Sequence, residues 1–416
     1  LKAHHLKVIV YEHISGGGYA GQPIPPGVLS EGFGMLRSIV SNFKAAGHEV
    51  TVLLDARISK LNPPIAVDCT VPVFYPQEPK KFLANVAKIN DAAYVVAPET
   101  GQTLQSLVEL VEQTGKVSLN CESSAIQKVA DKAVLCEILK KNGLPTPKTL
   151  VLNVADGLAI VKRAIKSKLS YPVVFKPMDG VSCGGLSVVK EENAQVEKAI
   201  AKIKAESAGK RFIIQEFVEG EAASVSLLSA RGKALAISLN KQSVKVATPE
   251  AVSSYEGGAV PFNHPLKQEA FAVAKKVVES YPGLRGYVGV DLVLAQDKPF
   301  VVDVNPRLTT SYVGLSRVAD FNVAQALVNA VLKSELPAKH ESHGFACFSK
   351  IETPKPTISA FQKAAEISEV VSPPFSLNDN TKACSLIAGH GDSLENARLR
   401  LEEAKKRTLN IISRGK

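Results

Sequence analysis

Two aspartates interrupt runs of valine, in Gly289-Val290-Asp291-Leu292-Val293 and in Val301-Val302-Asp303-Val304-Asn305-Pro306-Arg307. Side chains of a strand alternate between its faces, so Asn305 falls on the same face as Asp303. A carboxylate surrounded by valines costs several kcal/mol unless a cation neutralises it. Two aspartates and an amide oxygen from adjacent strands make a hard-oxygen set suited to Mg2+ or Mn2+ held jointly with phosphate oxygens. A pair of structural acids bridged by Arg307 is the competing reading. Zinc is not expected, because no histidine lies near in the sequence.

A second run, Val173-Val174-Phe175-Lys176-Pro177, brings Lys176 to the close of an apolar strand. The segment 179–185 then turns straight back into a strand at 186–190, so one cation and the N–H groups around Gly184 and Gly185 converge on a point. That arrangement suits a triphosphate; a glycine-rich hairpin with an exposed lysine is the plainer alternative. The run 212–220 ends an apolar strand in Glu216-Phe217-Val218-Glu219-Gly220. Its main-chain groups can meet an adenine edge with a carboxylate close by, or the strand simply leaves the core through a polar turn.

Gly16-Gly17-Gly18-Tyr19-Ala20-Gly21 follows a strand and formally matches G-x-G-x-x-G. That fingerprint needs a helix starting inside the motif, and Pro23, Pro25 and Pro26 delay any helix. Gly16, Gly17 and Gly18 are therefore expected either to grip a substrate or to form a flexible turn. A nicotinamide-dependent oxidoreductase is the alternative from a different enzyme class.

The elements that must position these residues follow from periodicity. Strands at 6–11, 49–54, 93–97 and 116–119 alternate with helices at 28–46 and 102–113, the pattern of a doubly wound parallel sheet. The segment 123–143 reads as one long helix, stopped by Gly143 and by the prolines of 144–147. Strands at 172–176, 186–190, 211–217, 224–228, 234–240, 287–294 and 300–304, with helices near 191–208 and 265–281, read as α+β with antiparallel pairing. Beyond residue 338 a strand at 383–388 and an amphipathic helix at 394–406 are expected.

Composition narrows the class. The chain of 416 residues is 45% hydrophobic and 22% charged, which suits a folded protein of two to four domains. Its net charge of +10 is dispersed, without basic and aromatic interleaving, so small anions are expected partners and nucleic acid is not. No run approaches the ~18 apolar residues of a membrane span, and the amino end has no leader-like pattern, so neither membrane spanning nor secretion is expected. The six scattered cysteines fit a reducing cytoplasm.

Taken in order, these pieces resemble the ATP-grasp superfamily of carboxylate-amine ligases, from about residue 7 to 331. Ala130-Asp131-Lys132 matches the first ATP lysine, Phe175-Lys176-Pro177 the second, Glu216-Phe217-Val218 the adenine hinge, and Asp291, Asp303 and Asn305 the metal ligands. Arg307 falls where the family places an arginine near the transferred phosphate. Asp303 departs from the pattern, since many members carry Glu there, and either Glu219 or Glu221 matches the ribose acid. The resemblance implies an N-terminal pre-ATP-grasp domain at 6–122, ATP-grasp subdomains at 123–220 and 221–338 clasping ATP, and a C-terminal extension at 339–416. It further implies ATP with Mg2+ or Mn2+, small-molecule acid and amine substrates, an acyl-phosphate intermediate, and ADP and phosphate as products, and it leaves a homodimer open. Gly16, Gly17, Gly18, Arg307 and Ser311 are the expected substrate contacts, with Arg307 and Lys176 catalytic. VYEHISGGGYAG, VVAPET and DVNPRLTTSYVGL resemble the tyramine-glutamate ligases of methanofuran biosynthesis in particular, with Tyr19 or Tyr312 to stack on a phenolic ring. A ligase or carboxylase acting on another small acid is the alternative within the superfamily.

Overall fold

The computed structural model describes residues 5–178, 183–192, 194–207, 209–338, 340–377 and 381–414. Five short parallel strands open the chain: β1 (Lys7–Glu12), β2 (Glu49–Asp55), β3 (Cys69–Val73), β4 (Ala92–Val96) and β5 (Val117–Ser118), in the order β3-β2-β1-β4-β5. Val8 and Val10 of β1 face one core cluster while Ile9 and Tyr11 face another, so the alternation of a fully apolar strand buries both faces. The crossovers are α1 (Pro26–Ala45), α2 (Ala56–Ser59), α3 (Glu78–Ile89) and α4 (Thr103–Gln113). Pro26 stands in the first turn of α1, where its missing N–H costs nothing, and Gly47 at φ +83° lets the chain turn back into β2.

The expected single helix at 123–143 is in fact two, α5 (Ser123–Ala130) and α6 (Lys132–Lys141), broken at an extended Asp131. The physical reason is capping: Asp131 accepts hydrogen bonds from the N–H groups of Ala133 and Val134, which starts a new helix and places Lys132 in its first turn.

A four-stranded antiparallel sheet follows, ordered β6-β9-β7-β8, from β6 (Thr149–Asn153), β7 (Val173–Pro177), β8 (Ser187–Val189) and β9 (Arg211–Glu216), backed by α7 (Leu158–Lys168) and α8 (Gln195–Glu206). Val173 and Phe175 pack into its own small core with Phe212 and Ile214, leaving Val174 and Lys176 on the opposite face. The next strands, β10 (Glu221–Ala230), β11 (Lys233–Lys245), β12 (Ser254–Val260), β13 (Gly286–Leu294) and β14 (Pro299–Asn305), join a larger antiparallel sheet, with α9 (Lys267–Glu279) against it and α10 (Tyr312–Val318) and α11 (Val323–Leu332) after it. The tail contributes β15 (Phe345–Pro354), α12 (Ile358–Ala365), β16 (Val370–Phe375), β17 (Lys382–Gly391) and α13 (Leu394–Arg414). Its strands continue the same sheet, giving eight strands in the order β14-β13-β10-β11-β12-β15-β17-β16. Among the described residues no helix is long and apolar enough to cross a membrane.

Candidate active site

The three sheets meet around a cavity of about 1560 Å3. Its floor is the β13–β14 hairpin. Asp291 stands directly opposite Asp303, and a register shift just beyond them leaves Val302 as an extra residue, a bulge that re-aims the pair. Gln242 Nε2 donates to Asp291 Oδ1 at 2.9 Å and Asn305 Nδ2 to Asp291 Oδ2 at 3.0 Å. Lys132, delivered by the break at Asp131, reaches across to Asp303 Oδ2 at 2.6 Å. Asp303, Asp291 and Glu99 more than offset the burial of the Lys132 ammonium and hold it above its ordinary value.

Burial, and then the facing Asp303 charge, push the Asp291 carboxyl up to about 6. Two carboxylates kept this close ask for a cation, and the donor set is wholly oxygen-bearing, which suits a hard divalent ion. Asn305 turns its NH2 toward Asp291 here; offering its oxygen to a cation requires a half-turn of the amide. No group of three or more His, Cys, Asp or Glu side chains gathers at one point among the described residues.

These shifts predict a cost in the metal-free chain. A carboxyl raised above its ordinary value of 3.8 binds its proton more tightly folded than unfolded, so its ionisation opposes folding fully above about pH 6 and not at all below about 4. Asp291→Asn is expected to stabilise the chain in EDTA at pH 7.5 by about 3 kcal/mol at most. The melting temperature should rise by a few degrees, with the gain fading toward pH 5. A lower melting temperature at pH 7.5 would contradict it.

Lys176 lines the cavity from the four-stranded sheet, and its ammonium has no hydrogen-bond or ion-pair partner among the described residues. Burial pulls it below its ordinary value, with Asp303 pulling the other way. Gly184 lines the wall beside it, while Gly185, at φ +68°, packs on Pro177 just behind. Residues 179–182 of that loop lie outside the described residues. Glu216, Phe217 and Val218, at the end of the neighbouring strand β9 and just beyond it, also line the cavity. Glu221 stands off the wall, paired with Lys241 at 2.8 Å, and Glu219 is exposed.

Arg307 enters from the end of β14. Its Nη2 meets Glu99 Oε2 at 2.8 Å and its Nη1 donates to the Leu308 carbonyl at 2.9 Å. Arg307 Nε and Glu99 Oε1 are buried without a hydrogen-bond partner, so the pair keeps one donor and one acceptor unspent. Ser311 lines the same wall and shares a 2.8 Å hydroxyl contact with Thr309.

Gly16, Gly17 and Gly18 do not reach the cavity. Gly16 N–H donates to the Glu12 carbonyl at 2.7 Å, Gly17 sits at φ +95° against Val73, and Gly18 packs on the His13 ring. They form a packed turn whose neighbours Glu12, Ile14 and Tyr19 supply the wall. Tyr312, proposed from sequence as a stacking surface, is wholly buried and donates to Asn42 Oδ1 at 2.6 Å; of the two tyrosines only Tyr19 faces the cavity. Sequence reasoning missed Glu99, Gln242 and Glu31. For Glu99 the signal was present, an acid just past the end of strand β4 where parallel sheets place their chemistry.

Comparison with known proteins gives the family of the chain. Residues 129–311 match the ATP-grasp domain family and residues 48–126 the pre ATP-grasp 3 domain. A tyramine–L-glutamate ligase of Methanocaldococcus fervens is 33% identical over 255 residues, covering 61% of this chain and 71% of that protein. Its counterpart from Methanocaldococcus jannaschii is 32% identical over 255 residues, covering 61% of this chain and 67% of that protein. The crystal structure of an L-amino acid ligase from Bacillus licheniformis has the same fold, with a TM-score of 0.66 at 15% identity, covering 96% of this chain and 97% of that one.

Proposed function

This chain belongs to the ATP-grasp family and is an ADP-forming carbon-nitrogen ligase, and on that premise we propose that it joins the γ-carboxylate of L-glutamate to the amine of tyramine, in the cytoplasm, as a step of methanofuran biosynthesis. The observation that carries the chemistry is the convergence of Lys132, Lys176, Asp291, Asp303, Asn305 and Arg307 around one cavity. The named relatives supply the choice of substrates. In this reading residues 6–122 bear the substrate side, 123–220 and 221–338 clasp the nucleotide, and 339–416 extend the larger sheet.

Lys132 and Lys176 hold the phosphates of ATP, Glu216, Phe217 and Val218 border its adenine, and Glu219 or Glu221 meets its ribose. Asp291, Asp303 and Asn305 would hold a divalent cation such as Mg2+, which would supply neutralisation of the phosphate charge. The substrate carboxylate attacks the γ-phosphorus in line; the bond to ADP breaks and an acyl phosphate forms. The amine then attacks the carbonyl carbon, and the carbon–oxygen bond to phosphate breaks. Arg307, kept charged by Glu99, stabilises the oxyanion and the departing phosphate. Closure of the sheets over the cavity keeps water from the acyl phosphate.

Incubation with ATP, Mg2+, L-glutamate and tyramine should yield a product with the mass of glutamyl-tyramine, and ADP should appear only when acid and amine are both supplied. Phenethylamine or putrescine in place of tyramine should give little product. Equal rates with all amines, or none with glutamate, would remove the substrate assignment and leave the ligase class standing.

A further inference from the structure

Helix α1 carries a carboxylate where its pattern calls for an apolar residue. Glu31 is only 7% exposed and stands in an unbroken buried stretch from Leu29 to Leu36. Its partners come from far along the chain. Lys350 Nζ of β15, in the tail, ion-pairs with Glu31 Oε1, and Thr310 Oγ1 donates to Oε2 at 3.0 Å. The Lys350 ammonium also lies 5.9 Å over the Tyr255 ring.

Glu31 borders the reaction site, and Lys350 stands behind it against two residues of the cavity wall, Glu31 and Tyr255. Glu31, Tyr255 and Thr310 line the same cavity as Asp291, Asp303 and Arg307, and Thr310 is three residues beyond Arg307. The Cys183 thiol, pushed up to about 11 by burial first, also feels the Glu31 and Asp291 carboxylates and the Lys350 and Lys176 ammonium groups. Nothing in the transfer of phosphate to a carboxylate needs this pair.

We propose that Glu31 and Lys350 are the specificity residues for an α-amino-acid head group on the acid substrate, with Glu31 taking the α-ammonium and Lys350 the α-carboxylate. The inference rests on the ligase reading above and deepens it, because a γ-carboxylate seated at Arg307 leaves its own α-carbon a few bonds deeper in the cavity. A largely buried ion pair gives little net stabilisation, so opening it to a zwitterion exchanges one ionic contact for two at small cost. An acid with only one of the two head-group charges leaves one side chain charged and unmatched, and such a site rejects its ligand strongly.

The test compares L-glutamate with glutarate, which lacks the ammonium, and with 4-aminobutyrate, which lacks the α-carboxylate, by ADP release in the presence of tyramine. The wild-type chain should prefer glutamate over either by ~10²-fold or more in kcat/KM. Glu31→Gln should bring the preference over glutarate to within a few-fold while keeping that over 4-aminobutyrate, and Lys350→Met should do the reverse, both with the KM for ATP unchanged. The double variant E31Q/K350M strands no charge, so it is the fallback if a single variant fails to fold; it should lose both preferences and melt near the wild type. A merely structural pair cannot produce this crossed pattern. If the wild type uses glutamate and the variants keep its preferences, the inference fails alone. If the wild type uses none of the three acids, the substrate reading fails and the inference with it.

Discussion

Replacing Asp303 with Asn should lower turnover by ~10³-fold, or about 4 kcal/mol of transition-state stabilisation, while the chain stays folded. Asp303 has two tasks in the geometry: its Oδ2 holds Lys132 at 2.6 Å and its Oδ1 accepts the Val304 N–H at 3.0 Å. Asn keeps the size and one acceptor but not the charge, so the cation and Lys132 both lose their counter-ion. Stability is expected to change little, because the charge that pushes up the Asp291 carboxyl disappears at the same time. Melting curves with and without Mg-ATP should show a clear nucleotide-dependent rise in the wild type and a reduced rise in the variant. Undiminished activity would remove Asp303 from the site.

Arg307→Lys should lower kcat by ~10²-fold or more and leave the KM for ATP within a few-fold. The guanidinium uses one edge on Glu99 and the Leu308 carbonyl and retains a buried, unpaired Nε. Lysine can keep the ionic contact with Glu99, yet it cannot present a second donor in a fixed plane to an oxyanion. The conservative exchange is preferred over alanine, which would leave the 10%-exposed Glu99 carboxylate without its cation. A rise in KM for ATP with unchanged kcat would make Arg307 a nucleotide-binding residue instead.

The residues to which the phosphate chemistry is assigned were legible because each breaks its local pattern. Asp291 and Asp303 are charges inside valine runs, and Lys176 closes an apolar strand. Their convergence was not legible, since it depends on the Val302 bulge and on the break at Asp131. That break hid behind helical periodicity that runs through it from Ala125 to Leu139, and only the capping preference of Asp131 marked it. Strand β6, helix α7 and strand β12 escaped notice for a simpler reason: much of each is half-buried or exposed, as in Thr149–Asn153, where no residue is fully buried, so no clean apolar face marks them. Periodicity in the tail marks only a strand and a helix, whereas three strands continue the sheet from β12 in the order β15-β17-β16. What they complete, the Lys350 contact to Glu31, lies 319 residues apart in sequence and leaves no local trace. The Gly16–Gly18 motif misled in the other direction, because small residues needed for a tight turn look the same as small residues that admit a ligand.

The account rests on one covalent intermediate, an acyl phosphate, and oxygen transfer tests it most directly. L-Glutamate carrying 18O in its γ-carboxylate should be turned over with ATP and tyramine, and the phosphate analysed by mass. Phosphoryl transfer to that carboxylate makes one of its oxygens the bridging atom, which leaves with phosphate when the amine attacks. One 18O in each released phosphate, with ADP as the nucleotide product, is the predicted result. Unlabelled phosphate, or 18O in AMP with pyrophosphate released, would contradict it.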